Sequence, residues 1–167
     1  YCLYAGLVTD TGSFRWGTPR MHVFAAELME YGLNTRQIAL DLMDTMGPVD
    51  LQLMGEVLAK TQIVPTKRLS VAVLTIPVGI HSRMSQTAVE SIIDYSRSLE
   101  GTDVGVVLKE QAPKYWAMSL RSVVVDVSAV AQQLGGGGHW AAAGYSATGT
   151  RKEVIRQLLD AFPEPDD

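Results

Sequence analysis

The second half of the chain contains four consecutive glycines, Gly135–Gly138. Glycine destabilises the interior of a helix, so the short helix predicted over 127–134 must end at this run. Because glycines carry no side chains, their backbone N–H groups are accessible, and successive amides can form a concave nest that binds an anion. His139 follows directly and can donate a hydrogen bond to a phosphate oxygen. The alternative is a flexible linker, although linkers are usually more polar than the segment found here.

Two further segments can complete an anion site around His139. The small residues at 141–143 allow a tight helical turn whose N-terminus can face the same anion. Arg121 ends a predicted strand, and its guanidinium is suited to bidentate phosphate binding. An exposed arginine at a strand end is the alternative for Arg121 alone. Because Arg121 and His139 flank one predicted helix, a joint phosphate site is favoured over either residue acting separately.

A third segment, Thr9-Asp10-Thr11-Gly12-Ser13-Phe14, follows the apolar run 1–8. A carboxylate such as Asp10 at the end of a buried element can reach a site, and carboxylates suit hard cations such as Mg²⁺ and Mn²⁺. The alternative is an ordinary loop in which Asp10 caps the next turn, because Asp, Thr and Gly are common turn residues.

The overall charge limits the partners of such a site. The 18 acidic and 14 basic residues give the 167-residue chain a net charge of −4, which excludes an overall basic nucleic-acid-binding surface but not a local phosphate pocket. Cys2 is the only cysteine, so no internal disulfide can form, and we expect a reducing, cytoplasmic location. No segment approaches the roughly 20 apolar residues of a membrane-spanning helix, so we expect no membrane association.

Hydrophobic periodicity and turn signals predict an α/β chain with helices first and then the order β-α-β-β-α-β-α. Domain boundaries are expected at 1–47, a connector over 48–65, and 66–167. Helices are predicted to begin at Pro19 and after Asn34, over Leu51–Ala59, from a capping box at Thr87 and Glu90, and from a second capping box at Thr150 and Glu153. Strands are predicted over 69–78, 103–109, 115–121 and 145–147.

Two of these motifs resemble a known family. Gly136-Gly137-Gly138-His139, followed by Ala142-Ala143-Gly144 and preceded by Leu120-Arg121-Ser122, resembles the signature of the DHH-associated C-terminal domain. The segment 4–14 resembles the last metal motif of the DHH phosphoesterase domain. Together they resemble the two-domain DHH phosphoesterases, most closely the bifunctional nanoRNase/pAp phosphatase branch. The resemblance implies a helical remnant of the DHH catalytic domain followed by an α/β domain with a mixed β-sheet flanked by helices.

The resemblance also implies an activity and roles for particular residues. It implies a phosphoesterase that hydrolyses short oligoribonucleotides and/or pAp, with two Mn²⁺ ions, or Mg²⁺, in the first domain. Asp10 would be a metal ligand. Arg121 and His139 would bind the substrate phosphate and stabilise its charge, and the substrate pocket would include Ser122 and the amides of Gly136, Gly137 and Gly138.

The sequence departs from the family because it contains no Asp-His-His segment and none of the earlier metal motifs. One carboxylate cannot hold two divalent ions, so we expect this chain alone to have little or no phosphoesterase activity. The implied partners are a short RNA or nucleotide, the missing N-terminal DHH domain and a second copy in a homodimer. The alternatives are a nucleotide-binding module without catalysis, a single-strand exonuclease, an exopolyphosphatase or a cyclic-dinucleotide phosphodiesterase.

Overall fold

The computed structural model describes residues 1–43 and 45–162. Its contacts divide the chain into two units, Tyr1–Gly47 (unit 1) and Pro48–Asp167 (unit 2). Unit 1 is helical and contains α1 (Cys2–Asp10), α2 (Pro19–Met29) and α3 (Thr35–Leu42). The first apolar run, which periodicity alone did not assign, is therefore a helix. Pro19 occupies the first turn of α2, and Asn34 caps α3 by accepting a hydrogen bond from the Gln37 amide at 3.0 Å, as the sequence predicts.

Unit 2 is a layered α/β structure. Its elements are α4 (Pro48–Leu58), β1 (Gln62–Pro65), β2 (Ser70–Ile76), α5 (Val78–His81), α6 (Gln86–Arg97), β3 (Val104–Ala112), β4 (Tyr115–Ser122), α7 (Val127–Gln133), β5 (Gly137–His139), β6 (Ala142–Thr148) and α8 (Arg151–Asp160). The strands form one six-stranded sheet in the order β1-β2-β3-β4-β6-β5. Only the β2–β3 pair is parallel, so the sheet is mixed and the expected fold class is confirmed.

The core of unit 2 lies on both faces of this sheet. One cluster joins α4 and α6 to the side chains of Ala72, Leu74, Ile76 and Val107. The other joins α7 and α8 to the alternate side chains of β2, β3, β4 and β6, among them Leu120. Because neighbouring residues on a strand point to opposite faces, every other residue of β4 faces α7 and α8. Arg121 therefore belongs to the α6 face.

The segment 48–65, expected to be a connector, contains α4 and β1 and lies within unit 2. Leu53, Met54 and Val57 of α4 are at most 2% exposed, and β1 pairs with β2 along its whole length. The segment is thus part of the core rather than a linker, because its apolar side chains are buried against the sheet.

Two local expectations are wrong and one is confirmed. Ser85, not Thr87, caps α6 by accepting a hydrogen bond from the Ala88 amide. The expected helical turn at 141–143 is absent, because β6 begins at Ala142 and runs further than the predicted strand 145–147. The capping box of Thr150 and Glu153 is present at the start of α8. In the part of the chain that the structure describes, every helix is too short or too polar to cross a lipid bilayer.

Candidate functional site

The glycine run first ends helix α7. Gly135 has a φ of +81°, and its amide donates to the Gln132 carbonyl at 3.1 Å, while the Gly136 amide donates to the Ala131 carbonyl at 2.8 Å. These two bonds form a Schellman motif, which satisfies the last carbonyls of the helix. The Gly136 amide is therefore already used, and the expected nest of three free glycine amides is not formed.

The same run then allows β5 to lie close to β6. A Cβ atom at Gly136 would overlap the Gly144 carbonyl oxygen, and one at Gly138 would overlap the backbone of Ala142 and Ala143. Gly138 also has a φ of +145°, which side-chain-bearing residues rarely adopt. At Gly137 a Cβ would meet no atom within 4 Å. The glycines are thus required by close backbone packing at two of these three positions.

The sheet register places Arg121 and His139 in one row. Arg121 of β4 pairs with Ala142 of β6, and Ala142 pairs in turn with His139 of β5. Directly paired residues of antiparallel strands point to the same face, so both side chains project from the α6 face of the sheet. Two strand spacings put their Cα atoms about 10 Å apart. The small side chain of Ala142 lies between them.

Helix α6 forms one wall of this row. Gly105 of β3 is paired with Arg121, and a Cβ atom at Gly105 would overlap the buried Ser96 side chain of α6. The absence of a side chain at Gly105 therefore lets α6 approach the sheet directly beside Arg121. As a result, Arg121 is half-buried, whereas His139 at the sheet edge is exposed.

Arg121 makes no ion pair with any carboxylate in the described residues. Its Nη1 donates to the Leu120 carbonyl at 2.9 Å. The nearby acidic groups of α6 are paired with other cations, Asp94 with Arg97 at 3.5 Å and Glu90 with Lys109 at 3.0 Å. Burial is the main cause that lowers the pKa of the Arg121 guanidinium below its ordinary value. The more distant Asp94 and Glu90 carboxylates partly oppose this shift. A half-buried cation without a direct ion pair gains from binding an anion.

The floor beside this row is made of very small residues. The next row across the same strands contains Ser119, Gly144 and Gly137, all of them half-buried. Further along β6, Ser146 is exposed on this face. A ligand bound between Arg121 and His139 can therefore approach the backbone of the sheet closely. We call this surface the phosphate row, defined by Arg121, Ala142 and His139.

Ser122, predicted to bind substrate, is placed on the opposite face of β4 and is 3% exposed. Its hydroxyl donates to the Asp103 carbonyl at 2.8 Å and accepts from the Val124 and Val125 amides at 3.1 and 3.0 Å. Ser122 therefore closes the turn after β4, and the structure does not bring it to the phosphate row.

Asp10, predicted to bind metal, is the last residue of α1 in unit 1, and its side chain is exposed. The hydrogen bonds that shape the following turn come from Thr11, whose hydroxyl donates to Leu7 and accepts from the Phe14 amide, not from the Asp10 carboxylate. Among residues 1–43 and 45–162, no three His, Cys, Asp or Glu side chains are grouped to hold a metal ion. The described residues thus do not form a manganese site.

The sequence predicted Arg121 and His139 as site residues, and the register brings them together, but it did not point to the residues that shape the space around them. Gly105, Ser96 and Ala142 matter only because of strand register and helix packing, which spacing along the chain does not reveal. Alternation in β6, with Ala143 and Tyr145 buried, was a usable signal for a strand. The small residues there were instead interpreted as a helical turn.

Comparison with known proteins identifies a domain family and several similar proteins. The model of the DHHA1 domain matches residues 68–164. The A-adding tRNA nucleotidyltransferase of Aquifex aeolicus is 27% identical over 160 residues, 94% of this chain and 19% of that protein. The bifunctional oligoribonuclease and PAP phosphatase NrnA of Thermus thermophilus is 32% identical over 163 residues, 95% of this chain and 48% of that protein.

A solved structure has the same fold. An exopolyphosphatase-related protein from Bacteroides fragilis has a TM-score of 0.84 and 25% identity, and the match covers 96% of this chain and 48% of that one. The chain thus spans about half the length of this protein and of NrnA. The domain match covers more than half of the 167 residues and includes both Arg121 and His139. The resemblance first noted around the glycine run is confirmed, and the chain belongs to the DHHA1 domain family.

Proposed function

We propose that unit 2 is the substrate-binding half of a phosphoesterase that acts on short oligoribonucleotides and/or pAp. In this role the phosphate row holds the substrate phosphate, with the Arg121 guanidinium on one side and the His139 imidazole on the other. The observation that carries the proposal is the register, because Arg121 and His139 both pair with Ala142 and project from the same face. Unit 1 would be the end of the DHH catalytic domain.

The chemistry of the row supports a phosphate monoester or diester as the bound group. The guanidinium offers parallel N–H donors that match two phosphate oxygens, and charge-assisted hydrogen bonds of this kind are stronger than neutral ones. His139 offers a further donor at the exposed end. Together they would hold the phosphate in place and stabilise negative charge that grows on its oxygens during hydrolysis.

The choice of short substrates has two supports. The chain carries a net charge of −4, whereas tracking a long strand requires a basic groove. NrnA, the relative with 32% identity, is named for its action on oligoribonucleotides and PAP. The manganese implied by the family resemblance has no site among the described residues, so the role proposed for this chain is confined to binding and orienting the phosphate.

Calorimetric titration of the 167-residue chain with pAp tests this role. We expect saturable one-to-one binding, weakened about tenfold or more by Arg121→Ala and by His139→Ala, because each removes a hydrogen bond to a charged group. Arg156→Ala is the matched control, since it removes the same charge from exposed α8 on the other face of the sheet. Equal losses in Arg121→Ala and Arg156→Ala would show that only net charge matters, and would contradict the proposal.

A hydrolysis assay tests the assignment of only half of an active site. We expect no turnover of pAp or short oligoribonucleotides by this chain with Mn²⁺ added, because the described residues offer no metal cluster. Turnover that depends on His139 would mean that a complete catalytic site is present.

The second candidate is a nucleotide-binding module without catalysis, which the absence of a metal cluster among the described residues also fits. The two candidates differ in the reading frame that precedes Tyr1. An Asp-His-His segment encoded there would support the enzyme, and a natural start codon close to Tyr1 would support the binding module.

A further inference from the structure

Three large apolar side chains are exposed at one end of the sheet in unit 2. Val123, Val124 and Trp140 are 73%, 56% and 49% exposed. Two backbone hydrogen bonds hold their segments together: the Ser122 amide donates to the Ala141 carbonyl at 3.2 Å, and the Val127 amide donates to the Trp140 carbonyl at 3.0 Å. We call the surface formed by these three residues the apolar ledge.

The apolar ledge continues the phosphate row. Val123 follows Arg121 by two residues in the turn after β4, and Trp140 follows His139 directly in the two-residue turn between β5 and β6. The cationic and aromatic groups are therefore carried by the same two strand ends. A ligand with its phosphate beside His139 would therefore lie one residue away from Trp140 along the chain.

The chemistry of the apolar ledge favours a neutral, flat group over a further phosphate. Its three side chains carry no charge, and the nearest charged side chain in the turn is the Asp126 carboxylate, which caps α7 through the Ser128 and Ala129 amides. That negative charge opposes the entry of polyphosphate. An exposed indole is the common platform on which nucleobases stack, and neighbouring aliphatic groups exclude water from the stacked face.

We propose that the apolar ledge binds the nucleobase of the substrate and selects nucleotides over polyphosphate chains. This inference rests on the proposed function, because it assumes that the phosphate row holds a phosphate. The principal specificity residue is Trp140, and Val123 and Val124 complete the surface. The occupant is a nucleobase; binding of a protein partner instead would leave nucleotide affinity independent of Trp140.

The test compares AMP with inorganic tripolyphosphate as ligands of the 167-residue chain. We expect Trp140→Ala to weaken AMP binding about tenfold while tripolyphosphate affinity changes less than about twofold. Trp140→Phe, which keeps an aromatic face, should retain most of the AMP affinity. Tyr115→Ala is the matched control, because Tyr115 is a 41% exposed aromatic residue on the same strand and face as Arg121, about 20 Å away.

A second readout reports stacking directly. AMP should quench indole fluorescence in the wild-type chain, and this quenching should be lost in Trp140→Phe although Trp16 and Trp116 remain. Unchanged AMP affinity in Trp140→Ala, or equal losses for AMP and tripolyphosphate, would overturn the inference while leaving the phosphate row intact. If neither ligand bound the wild-type chain, the proposed function would fail first and this inference with it.

Discussion

Units 1 and 2 differ in how much of their apolar surface is buried. Among the described residues of unit 1, only Val8, Ala25 and Ile38 are buried apolar side chains, whereas large apolar residues such as Leu3 and Tyr31 are 76% and 85% exposed. Unit 2 instead buries two apolar clusters, one on each face of its sheet. Because buried apolar area is the main source of stability, unit 2 has the core of an independent domain and unit 1 does not.

The same contrast applies to the candidate functions of the two units. The residues of the phosphate row lie on three neighbouring strands of one sheet, all within unit 2. Asp10 of unit 1 belongs to no group of three or more potential metal ligands among the described residues. The proposed phosphate site thus lies in the unit with the complete core, whereas the expected metal site has no complete ligand set among the described residues.

Separating the units should have the largest effect. We expect the fragment 48–167 to unfold cooperatively with most of the stability of the whole chain, and the fragment 1–47 to lack stable helices, since isolated short helices are marginal in water. Circular dichroism during heating measures both. A folded fragment 1–47, or an unfolded fragment 48–167, would reverse the comparison.

Matched leucine truncations should show the next largest effect. Leu108→Ala in β3 removes a fully buried side chain and should lower the free energy of unfolding by about 2–5 kcal/mol. Leu3→Ala removes a 76% exposed side chain from unit 1 and should change the free energy of unfolding by less than about 0.5 kcal/mol. Urea denaturation monitored by circular dichroism compares the two variants. Equal losses of unfolding free energy would contradict the comparison, because they would mean that Leu3 is as important for stability as a buried core residue.

Two alanine substitutions in the glycine run compare a closely packed position with one that has free space around it. Gly136→Ala forces a Cβ into the Gly144 carbonyl and the Tyr145 side chain, so we expect a loss of about 1–3 kcal/mol. Gly137→Ala meets no atom within 4 Å and has no positive φ, so its stability should stay close to that of the wild type. Thermal unfolding measures both, and similar losses would indicate that the run is a flexible segment after all.

The smallest expected effect comes from the helix caps. Thr150→Ala should lower stability by about 1 kcal/mol because α8 belongs to the core of unit 2, whereas Asn34→Ala in unit 1 should alter the main transition less. Hydrogen bonds from Thr150 lower the pKa of Glu153 below its ordinary value of 4.5. The associated stability is present above that value and is lost as the pH falls through the lower folded value. Denaturation in this range should therefore show a weaker pH dependence in Thr150→Ala than in the wild type.

Features that depend on a few adjacent residues could be predicted from the sequence, whereas features that depend on the tertiary arrangement could not. The capping box at Thr150 and the helix stop at Gly135 depend on a few adjacent residues, so both were predictable. The predicted nest of glycine amides was wrong because the Gly136 amide donates a hydrogen bond to α7. Strand β5 was not predicted because it forms only by pairing with β6. Likewise, the position of Ser122 next to Arg121 in the sequence suggested a site residue, but strand alternation places the Ser122 side chain on the opposite face of the sheet.

The most direct measurement is a crystal structure of the chain with bound pAp. The account predicts that one phosphate lies over Ala142, with the Arg121 guanidinium and the His139 imidazole both within hydrogen-bond distance of its oxygens. Phosphate bound elsewhere on the chain, or touching only one of these two side chains, would contradict it.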